Sequence, residues 1–199
     1  MAEMRVGAVI LAAGLSNRMG DFKPLLSIGP RTLLGHTINL FQICGIADIV
    51  VVKGHKSQEL QQELDRYHCP SVFHEQFANG MFSSVQAGVK ALDPANKAFF
   101  LLPVDIPLVQ PSTVSTLLNA LNQAPSALVF YPVYRSRRGH PPLIRSDLVD
   151  EILSFDDQGG LQVLLKKHHR HARNVPVNDP FILLDADTPD DLDFLREHH

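Results

Sequence analysis

Residues 6–24 constrain the possible folds of this chain more than any other stretch. They begin with an apolar run at Val6, which is typical of a strand buried on both faces of a sheet. A polar loop of small residues follows, with glycines at positions 14 and 20 and with Arg18 and Lys23 as its only cations. Small side chains leave backbone N–H groups open, so the loop predicts close contact with phosphate, although an ordinary strand-to-helix turn explains it equally well. The glycines fit neither G-x-G-x-x-G nor a P-loop.

The composition indicates a globular protein that needs no nucleic acid or membrane partner. The chain has 199 residues, of which 45% are hydrophobic and 20% charged, and its net charge is −3. We therefore expect one domain over residues 1–199, no binding to nucleic acid, and no membrane-spanning segment. Its two cysteines form neither a disulfide framework nor a zinc pattern, which predicts a cytoplasmic location.

Alternating apolar runs and helical periodicities predict an α/β fold. The expected class is a doubly wound, mostly parallel sheet in a three-layer α/β/α arrangement, with ligands bound at the carboxyl ends of the strands. After the first strand, the patterns predict helices over residues 33–43, 57–67, 111–120, 147–153 and 160–168. They predict strands over 49–52, 71–73, 127–133 and 181–185, and an apolar strand within residues 98–109 that leads to Asp105.

Residues 79–88 predict the start of a further helix, with Asn79 or Ser83 as its cap. A helix N-terminus that carries serine and glycine can bind an anion. Plain helix capping is the simpler explanation of the same residues.

Asp105 follows an apolar strand and stands between apolar residues. A carboxylate in that setting is costly unless it is solvated, paired or bound to a metal. One aspartate that faces a triphosphate is enough to hold Mg²⁺, since phosphate oxygens supply further ligands. The alternative is a turn or helix-capping aspartate.

Two later stretches carry further charge. Residues 134–142 contain three arginines and His140 beside Gly139, which suits an anionic acceptor or, equally, a solvated hairpin. Residues 185–191 read D-A-D-T-P-D-D, in which Thr188 predicts a helix cap and Asp185 and Asp187 are extra carboxylates. The histidines at 168, 169 and 171 fit a solvated helix end better than a metal site.

The order L-A-A-G-x-S-x-R-M-G-x-x-K-P at residues 11–24 resembles the MobA-like NTP transferases, a family of Rossmann-like nucleotidyltransferases. Three later stretches fit as well: G-M-x-x-S at 80, R-G-H-P at 138, and the D-x-D-T-P segment at 185. Within the family the chain looks most like the molybdenum cofactor cytidylyltransferases. The resemblance covers nearly the whole chain.

The resemblance implies a role for each candidate residue. It implies catalysis by Arg18, Lys23 and Asp105, and Mg²⁺ held by Asp105 and, less firmly, Asp185. The implied acceptor contacts are Arg138, Gly139, His140 and Asp185. The implied nucleotide-binding residues are Leu11, Ala12, Ala13, Gly14, Ser16, Arg18, Lys23, Asn79, Gly80 and Ser83.

The implied reaction is attack of an acceptor phosphate on the α-phosphorus of an NTP, with loss of pyrophosphate. Ala13 stands where the guanylyl branch typically has glycine, which favours CTP, and molybdopterin is then the expected acceptor, with a molybdoenzyme as a possible partner protein. Val104 stands where related enzymes often have glycine, which leaves open another NTP with a sugar phosphate. A carrier that binds the molybdenum cofactor without catalysis is the alternative from a different class.

Overall fold

The first strand, β1 (Val6–Ala12), forms where the apolar run predicts it and is buried along its whole length. The protein is described by a computed structural model that covers residues 4–14, 22–77, 80–156 and 159–199. In it, β1 pairs in parallel with β4 (Asp48–Lys53) on one side and with β6 (Ala98–Pro103) on the other. The carboxyl ends of these three strands therefore meet at one edge of the sheet.

The rest of the sheet extends outward from this centre. The remaining strands are β2 (Ser27–Ile28) and β3 (Arg31–Thr32), which form a separate hairpin, and β5 (Ser71–Phe73), β7 (Val129–Tyr134), β8 (Arg137–Arg138), β9 (Leu143–Arg145) and β10 (Ala172–Pro176). Among the described residues, the main sheet has the order β10-β7-β9-β6-β1-β4-β5, with β8 paired to β7. Only β8 and β9 run against the common direction, so the predicted mostly parallel sheet is confirmed.

Helices cover both faces of the sheet. They are α1 (Leu33–Ile43), α2 (Gln61–Arg66), α3 (Met81–Ala91), α4 (Pro111–Gln123), α5 (Val149–Ser154), α6 (Gly160–Lys167) and α7 (Pro189–Glu197). Alternate residues of β1 enter separate cores: Ala8 and Ile10 pack with α1, α4 and α7, whereas Val9 and Leu11 pack with α3, α5 and α6. This confirms the three-layer arrangement. Among the residues described, no helix has the length and apolarity needed to cross a membrane.

The helix caps agree with the sequence in two places and differ in a third. The Thr32 side chain accepts a hydrogen bond at the start of α1, and Thr188 forms a capping box with Asp191 at the start of α7, both as predicted. At α3 the cap is Gly80, with φ at 105° and no side-chain bond, so the prediction that Ser83 caps this helix is wrong. Glycine allows the chain to turn sharply into the helix at a positive φ.

The structure also differs from the sequence prediction in one helix boundary, one element type and one strand that the sequence did not predict. The helix expected from residue 57 begins at Gln61, because Lys56 has a left-handed φ of 50° and tight turns follow it. The strand expected to end at Asp185 is a 3₁₀ helix, Pro180–Leu183. The edge strand β10 (Ala172–Pro176) was not predicted, because only Val175 in it is buried and the apolar signal is weak.

Asp179 explains why the chain turns before residue 180. Its side chain is 1% exposed. It accepts hydrogen bonds from the Gln110 amide at 2.8 Å, the Thr113 hydroxyl at 2.8 Å and the Phe181 amide at 3.0 Å. This one carboxylate therefore ties the start of α4 to the C-terminal segment.

We expect Asp179→Ala to lower the free energy of unfolding by about 2–4 kcal/mol, because three donors would lose their acceptor in a buried site. Urea unfolding followed by circular dichroism measures this. Asp190→Ala is the matched control, since Asp190 is exposed in the first turn of α7, and it should change stability by less than about 1 kcal/mol. Equal losses in the two variants would contradict this account of Asp179.

Candidate active site

The loops that follow β1 and β6 face each other at the carboxyl edge of the sheet. The Val104 amide donates a hydrogen bond to the Leu11 carbonyl at 3.0 Å, which holds the two loops together. Next to this contact lies a cavity of about 380 Å³, called here the smaller cavity. Its lining includes the predicted nucleotide-binding residues Leu11, Ala12, Ala13, Gly14, Lys23 and Gly80, together with Asp105.

Lys23 brings two distant carboxylates together beside this cavity. Its Nζ lies 2.8 Å from Oδ1 of Asp187 and 3.4 Å from Oδ2 of Asp105. The Lys23 side chain is 11% exposed, that of Asp105 is 27% exposed and that of Asp187 is 30% exposed. The Ala186 amide also donates to the Asp105 carbonyl at 2.8 Å, which fixes the C-terminal segment against the end of β6.

The N-terminus of α3 forms another wall of the site. Gly80 lines the smaller cavity, as does the side chain of the buried Ser84, which was not predicted. The Ser83 hydroxyl is 2.9 Å from His74 Nε2 and donates to the Gly80 carbonyl at 2.8 Å. Ser83 thus holds the turn before α3 and is not among the described residues that line the smaller cavity, so its predicted contact with a nucleotide stays a prediction.

A second cavity of about 860 Å³, the larger cavity, adjoins the first. The two share Leu11, Gly80, Met81 and Pro103 in their walls. The larger cavity is also lined by Arg138 and His140, two of the predicted acceptor residues. The structure therefore brings nucleotide and acceptor candidates into adjoining spaces.

The third acceptor candidate on this loop, Gly139, lies against Ile182 and is not among the described residues that line the larger cavity. Its amide donates to the Pro132 carbonyl at 2.9 Å, and a Cβ at this position would collide with the Ile182 carbonyl oxygen. Glycine is required here for packing between β8 and the 3₁₀ helix. Its predicted contact with an acceptor stays a prediction.

Three predicted site residues lie outside the described ranges. They are Ser16 and Arg18 in the loop after β1 and Asn79 before α3. Their roles stay predictions.

Comparison with known proteins identifies the family. The sequence profile described as the MobA-like NTP transferase domain matches residues 8–175. The chain belongs to this family. It is therefore a nucleotidyltransferase of MobA-like type.

Similar proteins agree with this assignment. The molybdenum cofactor cytidylyltransferase of Escherichia coli K12 is 27% identical over 98% of this chain and 97% of its own length. A bifunctional GlmU protein of Corynebacterium aurimucosum is 31% identical over 74% of this chain, but the match spans only 32% of that protein. The crystal structure of Rv0371c from Mycobacterium tuberculosis superposes with a TM-score of 0.85 at 25% identity, covering 99% of this chain and 100% of that one. A manganese complex of Rv0371c superposes with a TM-score of 0.81 at 22% identity, covering 98% of this chain and 100% of that one.

Burial has the largest effect on the pKa of Asp105 beside the smaller cavity. Burial raises the pKa of Asp105, and the Asp187 carboxylate raises it further, while the Lys23 ammonium lowers it. The pKa of Asp105 is raised overall, because the attraction of Lys23 does not fully offset the loss of hydration and the repulsion by Asp187. An ionised Asp105 is thus less stable in the folded protein than in the unfolded chain.

Asp187, rather than Asp185, is the C-terminal carboxylate that contacts Lys23. Asp185 was the preferred second carboxylate, but its side chain is exposed, whereas the side chain of Asp187 contacts Lys23. Which of them binds a metal stays a prediction. Alternation in an extended segment puts residues 185 and 187 on one face, so the sequence alone could not separate them.

His140 is a neutral residue of the larger cavity. Burial lowers its pKa, against the opposing influence of Asp105, a hydrogen bond with the Leu101 backbone, and Asp185. Its Nδ1 atom is buried and has no hydrogen-bond partner among the described residues. Its amide donates to the Ile182 carbonyl at 2.9 Å, which joins this loop to the 3₁₀ helix.

The histidines after α6 do not form a metal cluster. His168 Nε2 lies 2.6 Å from Glu151 Oε2 on α5. In the part of the chain that the structure describes, no group of three or more His, Cys, Asp or Glu side chains could hold a metal ion.

We expect Asp105→Asn to leave the free energy of unfolding at pH 7 unchanged or higher. The raised pKa means that the folded state holds the Asp105 proton more tightly, so Asp105 lowers stability as the pH rises from 3.8 through the raised value. The asparagine variant should lose that part of the pH dependence. Urea unfolding at a series of pH values tests this, with Asp150→Asn on the exposed start of α5 as the control. A loss of more than about 1 kcal/mol at pH 7 would mean that the attraction to Lys23 dominates.

Two glycine substitutions should separate packing from ligand approach. Gly139→Ala should cost about 1–3 kcal/mol of stability, because its Cβ meets backbone. Gly14→Ala should change stability by less than about 0.5 kcal/mol, because its Cβ meets no described atom within 4 Å. The same Gly14 variant should bind NTP more weakly, since Gly14 lines the smaller cavity and an added methyl group would hinder close approach of the phosphates. Unfolding curves and nucleotide titrations measure the two effects, and unchanged NTP affinity would remove Gly14 from the binding site.

Proposed function

We propose that this MobA-like protein transfers CMP from CTP to the phosphate of molybdopterin in the molybdenum cofactor and releases pyrophosphate. The observation that carries the proposal is the convergence of Lys23, Asp105 and Asp187 beside the smaller cavity. One cation and two carboxylates at that place suit a triphosphate and its metal. The near full-length similarity to a molybdenum cofactor cytidylyltransferase supports the choice of substrates.

The smaller cavity is the proposed site of the nucleotide. The start of α3 at Gly80 offers backbone N–H groups to an anion, and the loop of small residues at Ala13 and Gly14 offers close approach. Lys23 would neutralise the triphosphate and the leaving pyrophosphate, with Arg18 as a second cation. Ala13 favours CTP within the family.

The donor set at this place fits a divalent cation. Nucleotidyltransferases generally use a divalent metal, and the carboxylates of Asp105 and Asp187 are close enough to contact one ammonium group. Hard oxygen donors of this kind suit Mg²⁺ or Mn²⁺, with phosphate oxygens as further ligands. The Mn²⁺ complex of Rv0371c supports the same class of metal. When bound, the metal would stabilise negative charge on the α-phosphate.

The chain's own residues would act mainly by positioning and charge. An oxygen of the acceptor phosphate forms a bond with the α-phosphorus while the bond from that phosphorus to the β-phosphate oxygen breaks. The acceptor phosphate is already ionised, so no general base is required, and the neutral His140 is assigned to binding. Arg138 and His140 would hold the acceptor in the larger cavity, and Asp185 stays a candidate for a metal or acceptor contact.

A second nucleotidyl transfer, from another NTP to a sugar phosphate, is favoured by one observation. Val104 stands where related enzymes often have glycine, and its side chain is buried in the wall of the smaller cavity. A branched residue there reduces the space around the reacting groups, which would alter the choice of substrate.

The test is pyrophosphate release in the presence of Mg²⁺, molybdate-loaded molybdopterin and each of the four NTPs in turn. We expect release with CTP, and we expect Asp105→Asn to lower kcat by about 100-fold or more, because it removes a charge that binds the metal. Asp150→Asn is the matched control, and its rate should stay within about twofold of the wild type.

The other outcomes separate the alternatives. Release with a different NTP would retain the chemistry and overturn the assignment to CTP. Release only with a sugar phosphate would favour the second candidate. Tight molybdopterin binding without release for any NTP would contradict an enzymatic role and favour a carrier of the cofactor.

A further inference from the structure

Much of the lining of the larger cavity has no role in the bond-forming step of the proposed reaction. Near the smaller cavity its wall is formed by Leu11, Gly80 and Pro103, which both cavities share. The part of its lining that the smaller cavity does not share includes Leu161, Leu165 and Lys166 on α6. An acceptor that presents its phosphate to Asp105 would therefore extend toward α6.

Most of the wall is apolar. Phe82 and Val85 on α3, Leu101 on β6 and Leu165 on α6 all face the same space. The volume of about 860 Å³ is near the upper end of ligand pockets, and much more than a phosphate group needs. The cavity therefore suits an acceptor with an extended apolar or aromatic body.

The charge on the wall has one sign. Arg138 and Lys166 line the larger cavity, and among the described residues of its lining there is no aspartate or glutamate. The chain as a whole has a net charge of −3, so this wall differs in sign from the average surface. A cavity of this kind favours an anionic ligand.

Lys166 differs from Arg138 in that none of the residues that the structure describes holds its charged group in place. Arg138 donates from Nε to Asn174 at 2.8 Å and lies 4.2 Å from the centroid of the Tyr131 ring. Lys166 is exposed, and its ammonium forms no ion pair or hydrogen bond with any residue in the described ranges. The next residue, Lys167, lies outside the cavity with its Nζ 4.3 Å from the centroid of the Phe155 ring.

We propose that Lys166 is a specificity-determining residue that binds a second anionic group of the acceptor, distant from the reacting phosphate. The acceptor class is thus an apolar or aromatic body with anionic groups at both ends. This inference rests on the proposed function, because that function fixes which end carries the reacting phosphate. The second group contributes binding energy and takes no part in bond formation.

The first test is the acceptor KM with saturating CTP. Lys166→Gln should raise the KM for molybdate-loaded molybdopterin by about 10- to 100-fold, the effect of one hydrogen bond to a charged group, while kcat and the KM for CTP change less than about twofold. Lys166→Arg should restore most of the affinity. Lys167→Gln is the matched control, with the same change one residue away and outside the cavity, and should leave every constant unchanged.

The second test does not depend on the acceptor. Titration with 8-anilinonaphthalene-1-sulfonate, an aromatic anion, should give weaker binding to Lys166→Gln than to the wild type or to Lys167→Gln. If the wild type releases no pyrophosphate with molybdopterin, the proposed function fails, and the dye titration still decides the role of Lys166. Equal dye affinity in all three proteins, or equal KM values for Lys166→Gln and Lys167→Gln, would overturn the inference.

Discussion

The contact of one lysine with two carboxylates is the interaction on which the site depends. Lys23, Asp105 and Asp187 come from the first loop, the middle of the chain and the C-terminal segment, and all are partly withdrawn from water. Two carboxylates at such a place repel each other and lose hydration. The ammonium group offsets this only in part, since the pKa of Asp105 remains raised. Additional positive charge beside Asp105 and Asp187 would therefore stabilise the ionised carboxylates.

The scaffold achieves this convergence with few backbone contacts. The Val104 amide joins the ends of β1 and β6, and the Ala186 amide joins the C-terminal segment to Asp105. Asp179 anchors the same segment to α4 by three hydrogen bonds. These bonds fix the backbone on both sides of the charged groups, which keeps the carboxylates in position.

The two adjoining cavities differ in the chemical groups that line them. The smaller cavity has small residues, a helix N-terminus and the charged cluster, which are the groups that suit a triphosphate. The larger cavity has apolar walls with cations and no carboxylate among its described lining residues. In the proposed reaction, their shared wall at Leu11 and Pro103 would bring the two ligands together at the ends of neighbouring strands. The chemical contrast between the cavities supports different ligands in each.

The sequence alone determined the fold class, most of the order of elements and several residues that the structure places beside the smaller cavity. Local patterns specified β1, α1 and the Thr188 cap, because apolar periodicity and capping depend on neighbouring residues. The family motifs indicate Lys23 and Asp105 but do not show that the two side chains are in contact. Tertiary structure decided the rest: that Asp187 contacts Lys23, that Gly139 serves packing, and that Lys166 rather than Lys167 lines a cavity. Those facts depend on contacts between residues far apart in the chain, which local patterns do not encode.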